Sequence, residues 1–536
     1  MSHKVLVCDK IAAEGLEILR QAGEVEALTE TLAEEELCAK VAPYHALVVR
    51  SATKVTGKVI EAARELRVIG RAGVGVDNID VAAATERGIV VINSPEGNTI
   101  AAAEHALALL LSLSRNIAEA SRSTKAGEWR KADFMGTEVY QKSVGVIGVG
   151  KIGSLVAQRC KALGMRVLGY DPYLSAERAR QLGIEKVELD ELLAEADFVA
   201  VHAAKTPETM GLIGEQELAK MKPTARLVNC ARGGIVDEQA LYEALKAGTI
   251  AAAALDVFAE EPPGDIPLFE LPNFVATPHL GASTREAQAK VAVDVAEQIV
   301  EVLGGGQART PVNSPAVPSE LMAQLAPYLH LVEQMGKMHA HFHKQAISDV
   351  EISYSGEIAE GSVAPLTPRF LVGLLSPQLE QAVNTVNASL IAESRGVNVV
   401  ERKTQETLGY ASLISTRVVS GGTEMTIDGT LFGRADPRIV RVNEYRIDIV
   451  PQGLTLFTWH YDRPGVIGNV GTLLGNNKVN IAGMQVGRAY VGSHAFMALS
   501  VDNPIPEELI REIDSMEHIE SSTLVDFGPA PEADSS

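Results

Sequence analysis

The chain has 536 residues, too many for one hydrophobic core, so three or four domains are expected. Its net charge of -21 argues against nucleic acid and anionic membrane as general partners, while leaving room for a local basic pocket around an anionic metabolite. Four scattered cysteines (Cys8, Cys38, Cys160, Cys230), with no C-x-x-C and no neighbouring histidine cluster, point to a reduced cytoplasmic compartment and no metal site.

The first residues carry Lys4, Asp9 and Lys10 and do not read as a signal peptide. Lys4–Cys8 is a short apolar strand, followed by a helix with Ala12, Leu16 and Leu19 on one face. Strands Ala46–Arg50, Val68–Arg71 and Ile89–Ile92 then alternate with helices at Val59–Leu66 and near Val81–Arg87, the rhythm of a parallel α/β sheet covered on both faces. Arg50-Ser51 and the run Arg71–Asn78 fall at strand ends, where open α/β sheets bind ligands. Asn98–Leu113 predicts a long helix crossing between two lobes. The apolar run Ile100–Leu113 within it contains Glu104 and His105 and is too short to span a bilayer.

Ser143–Asp171 is the most informative stretch. Val144, Val146 and Ile147 lead into Gly148-Val149-Gly150-Lys151-Ile152-Gly153, a G-x-G-x-x-G at a strand-to-helix turn. The first glycine allows the tight turn, the second lets a pyrophosphate approach the backbone, and the third lets the helix pack on the strand. The helix N-terminus offers free N–H groups to the phosphates. Asp171 ends the second strand, about twenty residues on, where a carboxylate suits the ribose of NAD. Strands Phe198–His202, Arg226–Cys230 and Ala252–Phe258 continue the pattern, and Ser283–Leu303 predicts a helix returning to the first lobe.

Three motifs follow at strand ends: Asn229–Gly234, Asp256–Pro262 and Thr277–Ala282. Arg232 beside two glycines offers a planar donor fork to a carboxylate, and His279 has the side chain best suited to a general base near neutral pH. Taken singly, an Arg-Gly-Gly is a solvated turn, His279 a structural histidine and Glu260-Glu261 a surface pair. Their joint occurrence after a dinucleotide turn favours a dehydrogenase site.

Gly304–Gly306 with Pro311, Pro315 and Pro318 marks a linker. Beyond it, helices at Leu321–His341 and Gln381–Arg395 mix with strands at Asp349–Ser355, Ser412–Ser420, Glu424–Phe432 and Tyr445–Val450, an α+β domain. Leu454–Phe527 reads β-α-β-β-α-β, a ferredoxin-like order. In its first turn, His460–Gly468, Asp462 is placed either to cap the following helix or to hold an amino group.

The strings HALVVRSATKVT, GRAGVGVDNID, NSPEGNT, GVIGVGKIG, NCARGGIVDE, ALDVFAEEPP, TPHLGAST and HYDRPGVIG resemble the D-isomer-specific 2-hydroxyacid dehydrogenases, specifically the long, three-module branch acting on 3-phosphoglycerate. The resemblance covers nearly the whole chain. It implies an α/β enzyme: a Rossmann-like nucleotide-binding domain (98–281) inserted in a flavodoxin-like substrate domain (1–97 and 282–306), then an α+β regulatory domain (315–451), a ferredoxin-like ACT domain (452–528) and a disordered tail (529–536). It implies catalysis by Arg232, Glu261 and His279, and NAD held by Gly148, Gly150, Lys151, Ile152, Gly153, Asp171, Cys230, Ala231, Asp256, Gly281 and Ala282. Arg50, Ser51, Val74 and Asn98 would bind substrate. The family often carries a hydroxyl residue where Val74 stands, so any side-chain contact to the cofactor is lost there. Arg71, Arg130 and Lys131 are further candidates for a phosphate, the last two equally well surface charges.

The resemblance also implies the NAD-dependent first step of L-serine biosynthesis, with a side capacity to reduce 2-oxoglutarate to 2-hydroxyglutarate. L-serine would be the effector, on His460, Tyr461, Asp462 and Asn480 at a subunit interface of a homodimer or homotetramer. Two other readings stay open: a dehydrogenase for glycerate, lactate or formate, and a corepressor-like NADH sensor. The extra residues past Gly306 weigh against the first, and the intact Arg232, Glu261 and His279 set against the second.

Overall fold

The computed structural model describes residues 3–315, 319–406, 409–433 and 435–529. The tail expected to be disordered falls, after Pro529, outside the described residues. Among the described residues no helix is long and apolar enough to cross a membrane.

The first lobe is a five-stranded parallel sheet in the order Gly23–Ala27, His3–Val7, Ala46–Val49, Val68–Arg71, Val90–Asn93. This 2-1-3-4-5 order is the flavodoxin-like one. Inside the edge, strands such as Ala46–Val49 are continuous apolar runs because both faces are covered. One cover is the helix Arg285–Leu303, whose Val295, Ala296 and Ile299 share a core with Val5, Val48 and Val68. The chain thus returns to its first sheet late.

The second lobe is a seven-stranded parallel sheet in the order Phe274–Ala276, Ala252–Leu255, Arg226–Asn229, Phe198–Val201, Ser143–Ile147, Arg166–Tyr170, Glu185–Lys186. Strand Ser143–Ile147 has its successor on one side and Phe198–Val201 on the other, so the sheet reverses direction at its end. That switch point is where a doubly wound sheet opens a crevice. Helix Thr99–Ser114 packs on this sheet through Ala103, Ala106, Leu110 and Leu113.

Past the linker, a six-stranded mixed sheet runs Asn398–Thr404, Ile347–Gly356, Ser412–Ser420, Thr423–Phe432, Asp436–Val442, Tyr445–Ile449, beneath helices Ser319–Phe342 and Leu366–Leu375. The terminal sheet is antiparallel, in the order Ile481–Arg488, His494–Val501, Leu454–Tyr461, Ile519–Asp526. The two sheets share one core, because Phe342 packs edge-on against Phe457 and Trp459, with Phe496 and Phe527 close by.

Some expected elements differ. The helix expected over Gln381–Arg395 forms only at Ala388–Ser394. Asn387 Oδ1 accepts from Asn384 N and Asn384 Oδ1 from Val386 N, so side chains take the backbone groups that a helix would use. Strands Gly23–Ala27, Asn398–Thr404 and Asp436–Val442 went unread. The first two are sheet edges rich in charge, where alternation carries little signal.

Candidate active site

The glycine turn joins strand Ser143–Ile147 to helix Lys151–Ala162, and each glycine does a separate job. Gly148 has φ +86°, and a Cβ there would stand 2.6 Å from Ala203 N. A Cβ on Gly153 would lie 2.0 Å from Gly148 O, so only glycine lets helix and strand close up. At Gly150 a Cβ would meet nothing within 4 Å, leaving the side from which a pyrophosphate would approach. Asp171, one residue past Tyr170, accepts Val149 N–H at 2.9 Å and Tyr173 N–H at 2.9 Å. These features fit a dinucleotide. Lys151 Nζ donates to Glu96 Oε1 of the other lobe at 2.6 Å, and Ile152 packs on the sheet core.

Cys230 is buried, which pushes its thiol pKa up together with the nearby Asp256 charge, so it stays a neutral apolar group beside the buried Ala231. Asp256 is fully buried, and its carboxylate accepts from His105 Nε2 (3.1 Å), Thr277 Oγ1 (2.6 Å), Leu280 N (2.7 Å) and Gly281 N (2.9 Å). Burial alone would raise its pKa, but the His105 and Thr277 hydrogen bonds and the Leu280 N–H outweigh it and keep the group ionised. The expectation for Asp256 was a cofactor contact; its oxygens are turned inward, bracing the loop that carries His279.

That loop holds His279 in the left-handed region (φ 54°), with its N–H donating to Asp256 O at 2.9 Å. His279 Nδ1 lies 2.7 Å from Glu261 Oε2, while Glu261 Oε1 accepts Phe258 N–H at 3.1 Å. Partial burial raises the Glu261 pKa, but the hydrogen bond and charge of His279 more than offset it, leaving a carboxylate below its usual range. Arg232 comes in on a neighbouring loop. Asn229 ties that loop by accepting Ala231 N–H and donating to Arg232 O. A Cβ on Gly233 would sit 1.7 Å from Phe258 O, so the Arg232 and Glu261 loops touch only because glycine stands there. Arg232 Nε is 3.4 Å from Asp77 of the first lobe, and its Nη1 donates to Ala231 O at 2.7 Å.

Arg232, Glu261 and His279 face a cavity of about 820 Å³ between the lobes, lined also by Arg50, Ser51, Arg71, Val74, Asn98 and Ala282. Arg71 is largely buried, and burial followed by the charges of Arg232 and Arg50 brings its pKa down to about 10. It remains a cation at neutral pH, with Nε lacking a partner among the described residues. Asn98 Oδ1 is likewise buried without one. Asp9 and Asn78 hold the Arg50 loop: Asp9 accepts from Arg50 N, Thr53 N and Thr53 Oγ1, and Asn78 donates to Arg50 O and Thr53 O. Arg130 is exposed and pairs with Asp133 and Glu128, and neither it nor Lys131 lines the cavity.

Asp77 and Asn78 fall within the run Arg71–Asn78 that the sequence places at a strand end, whereas His105 and Asp9 were not read as site residues; for His105 the available signal was a lone histidine on an apolar helix.

The residues expected to bind an effector do not converge in one chain. Asp462 accepts from Arg488 Nη1 (3.1 Å) and Gly492 N (3.2 Å), contacts that lower its pKa, and it does not cap the next helix, whose N-cap is Gly465. His460 is buried, with Nδ1 on Tyr461 O, and the Tyr461 ring lies tilted against that of His494 at 4.5 Å between centroids. Asn480 donates to Asp502 at 2.6 Å. Tyr461 pairs with His494 while Asp502 N bonds to Asn480 O, so the two ends are separated by the whole strand His494–Val501, about 26 Å. A site using both Asp462 and Asn480 needs a second copy of the chain.

Three family descriptions match the chain: "D-isomer specific 2-hydroxyacid dehydrogenase, NAD binding domain" over residues 107–281, "D-3-phosphoglycerate dehydrogenase intervening domain" over 324–443, and "ACT domain" over 454–518. A Synechocystis protein named D-3-phosphoglycerate dehydrogenase is 49% identical over 97% of this chain and 94% of its own. One of the same name from Archaeoglobus fulgidus is 47% identical over 98% and 100%. Among solved structures, a Thermus thermophilus protein superposes with TM-score 0.55 at 36% identity, covering 58% of this chain and 99% of its own. An acyclic imino acid reductase in complex with NADPH and D-Arg reaches 0.52 at 30%, with coverages of 58% and 99%.

Proposed function

This chain belongs to the D-3-phosphoglycerate dehydrogenases, within the D-isomer-specific 2-hydroxyacid dehydrogenases, and is an NAD-dependent oxidoreductase; from that premise we propose that it oxidises 3-phosphoglycerate to 3-phosphohydroxypyruvate. The observation that carries the reading is the His279–Glu261 pair facing a cavity that also holds Arg50, Arg71 and Arg232. A single carboxylate needs one arginine fork. Three cations suit a substrate bearing both a carboxylate and a phosphate.

In this reading Arg232 binds the substrate carboxylate and polarises the carbonyl that forms. His279 Nε2 takes the hydroxyl proton and returns it in reverse, and Glu261 holds the other ring N–H and steadies the imidazolium. Val74 and Gly75 meet the carboxylate with backbone N–H groups, Arg50 and Arg71 take the phosphate, and Ser51 and Asn98 orient the hydroxyl carbon. Gly148, Gly150, Lys151, Ile152, Gly153 and Asp171, with Cys230, Ala231, Gly281 and Ala282 alongside, would hold NAD, which would supply the hydride acceptor when bound. Residues 1–97 with 282–306 form the substrate domain, 98–281 the cofactor domain, 315–451 the intervening domain and 452–528 the ACT domain.

The same reading places the enzyme in the cytoplasm, with L-serine as inhibitor at the Asp462 end of one copy and the Asn480 end of another, in a dimer or tetramer. A side capacity to reduce 2-oxoglutarate to 2-hydroxyglutarate belongs to the same reading. NADH absorbance with NAD and 3-phosphoglycerate, against D-glycerate and D-lactate, tests it: turnover of the last two but not the first would overturn it.

A further inference from the structure

Strand Val90–Asn93 ends where the substrate cavity begins, and its last residue faces two ways. Asn93 Nδ2 donates to Val74 O at 2.5 Å, and the next residue, Ser94, donates its N–H to Gly73 O at 2.9 Å. In a trans peptide the C=O and the following N–H point in opposite directions. Holding the Gly73 and Val74 carbonyls from the strand side therefore turns the N–H groups of Val74 and Gly75 the other way, and Gly73, Val74 and Gly75 all line the cavity. Two successive N–H groups aimed at one point make an anion-binding concavity.

The backbone of Asn93 is in turn held by the linker. Thr310 Oγ1 donates to Asn93 O at 2.5 Å, and Gln298, fully buried on the long returning helix, clasps Thr310 by accepting its N–H at 2.9 Å. Val312 N donates to Val91 O at 2.7 Å, and Asn313 accepts from Val91 N at 2.9 Å, so the linker is zipped along the same strand. At the strand's other end, Asn384 of the intervening domain donates to Gly88 O at 2.8 Å.

We infer that Asn93 is a positioning residue for the substrate carboxylate: it aims the Val74 and Gly75 N–H groups, and Thr310 of the linker sets its own position. This rests on the proposal that loop 73–75 holds the carboxylate. The strand belongs wholly to the substrate lobe, so its displacement changes hydroxy-acid binding and leaves the dinucleotide turn untouched. The linker is bonded along this strand and Asn384 to Gly88 just before it, so the intervening domain is tied to the segment that carries Asn93.

The test uses the full-length enzyme, with oxalate as a phosphate-free carboxylate probe bound to the NADH complex. Asn93→Ala should raise the oxalate inhibition constant and the hydroxy-acid KM about tenfold, with kcat within about threefold and NADH affinity unchanged. Thr310→Val, which keeps shape and loses the hydroxyl, should do the same more weakly, and Thr310→Ser should restore wild-type values. Oxalate affinity within twofold of wild type in Asn93→Ala or, if that variant does not fold, in Thr310→Val overturns the inference. So does an equal loss of NADH affinity. Because oxalate carries no phosphate, the outcome stands apart from whether 3-phosphoglycerate is the substrate.

Discussion

Glu261 and His279 lie 18 residues apart in sequence and 2.7 Å apart in space, and the second oxygen of Glu261 is pinned by Phe258 N–H. The carboxylate therefore has one free direction, toward the imidazole. Replacing His279 by Asn should cost about 10²–10⁴-fold in kcat, the range of a lost general base. Glu261→Gln should be milder and should move the acidic limb of the kcat/KM profile to lower pH, because the imidazolium loses its counter-charge. An unmoved limb removes Glu261 from the mechanism.

Arg71 separates a phosphorylated substrate from a plain hydroxy acid. Its guanidinium is buried in the cavity wall and, with a pKa near 10, stays charged at pH 7. Arg71→Ala should raise the KM for 3-phosphoglycerate by about tenfold or more, with little effect on residual turnover of D-glycerate. Arg232→Lys should depress both, since the fork is lost for either carboxylate. Equal sensitivity of both substrates to Arg71→Ala would argue that Arg71 is only structural.

Asp171 should enforce NAD over NADP. Its carboxylate, already fixed by Val149 and Tyr173 N–H groups, would accept ribose hydroxyls but repel a 2′-phosphate. Selectivity of roughly a hundredfold or more in kcat/KM is expected. Asp171→Ala should weaken NAD and narrow the ratio, read from initial rates with both cofactors.

Acid should destabilise the protein through two buried histidines. Burial lowers the pKa of His202 to about 4; burial, with the neighbouring His343, lowers that of His339 to about 3, from 6.5. Both are neutral in the fold, while the unfolded chain takes up these protons below 6.5. Their stability contribution is thus intact above pH 6.5 and lost as pH falls toward 4 and 3, on the order of 1–2 kcal/mol each at pH 5. His339→Gln should flatten the fall in Tm between pH 6.5 and 5, measured by calorimetry.

Asp462→Ala should abolish serine inhibition while leaving turnover without serine near wild type. Removing the terminal domain is a poorer test, because Phe342 and Tyr445 of the intervening domain pack on Phe457 and Phe496 and would be stripped bare. Serine that neither binds by calorimetry nor slows the intact enzyme would leave Asp462 as a partner of Arg488 only.

What the sequence by itself determined is whatever acts over a few residues. The apolar runs of the parallel strands and the three glycines of the turn with Asp171 beyond it are local patterns, readable from spacing and residue type, and the strings carrying Arg232, Glu261 and His279 are local too, their roles implied by the family resemblance. Tertiary structure decided the rest, because burial and distance across a sheet depend on strand order. It put Arg71 in the cavity while Arg130 and Lys131 stayed outside it, and turned Asp256 inward onto four protein donors. It also set Asp462 and Asn480 at opposite ends of one strand although the sequence separates them by fewer than twenty residues. The tie from Thr310 through Asn93 to Val74 joins three segments that no local pattern connects; it exists only because the linker folds back along the edge of the first sheet.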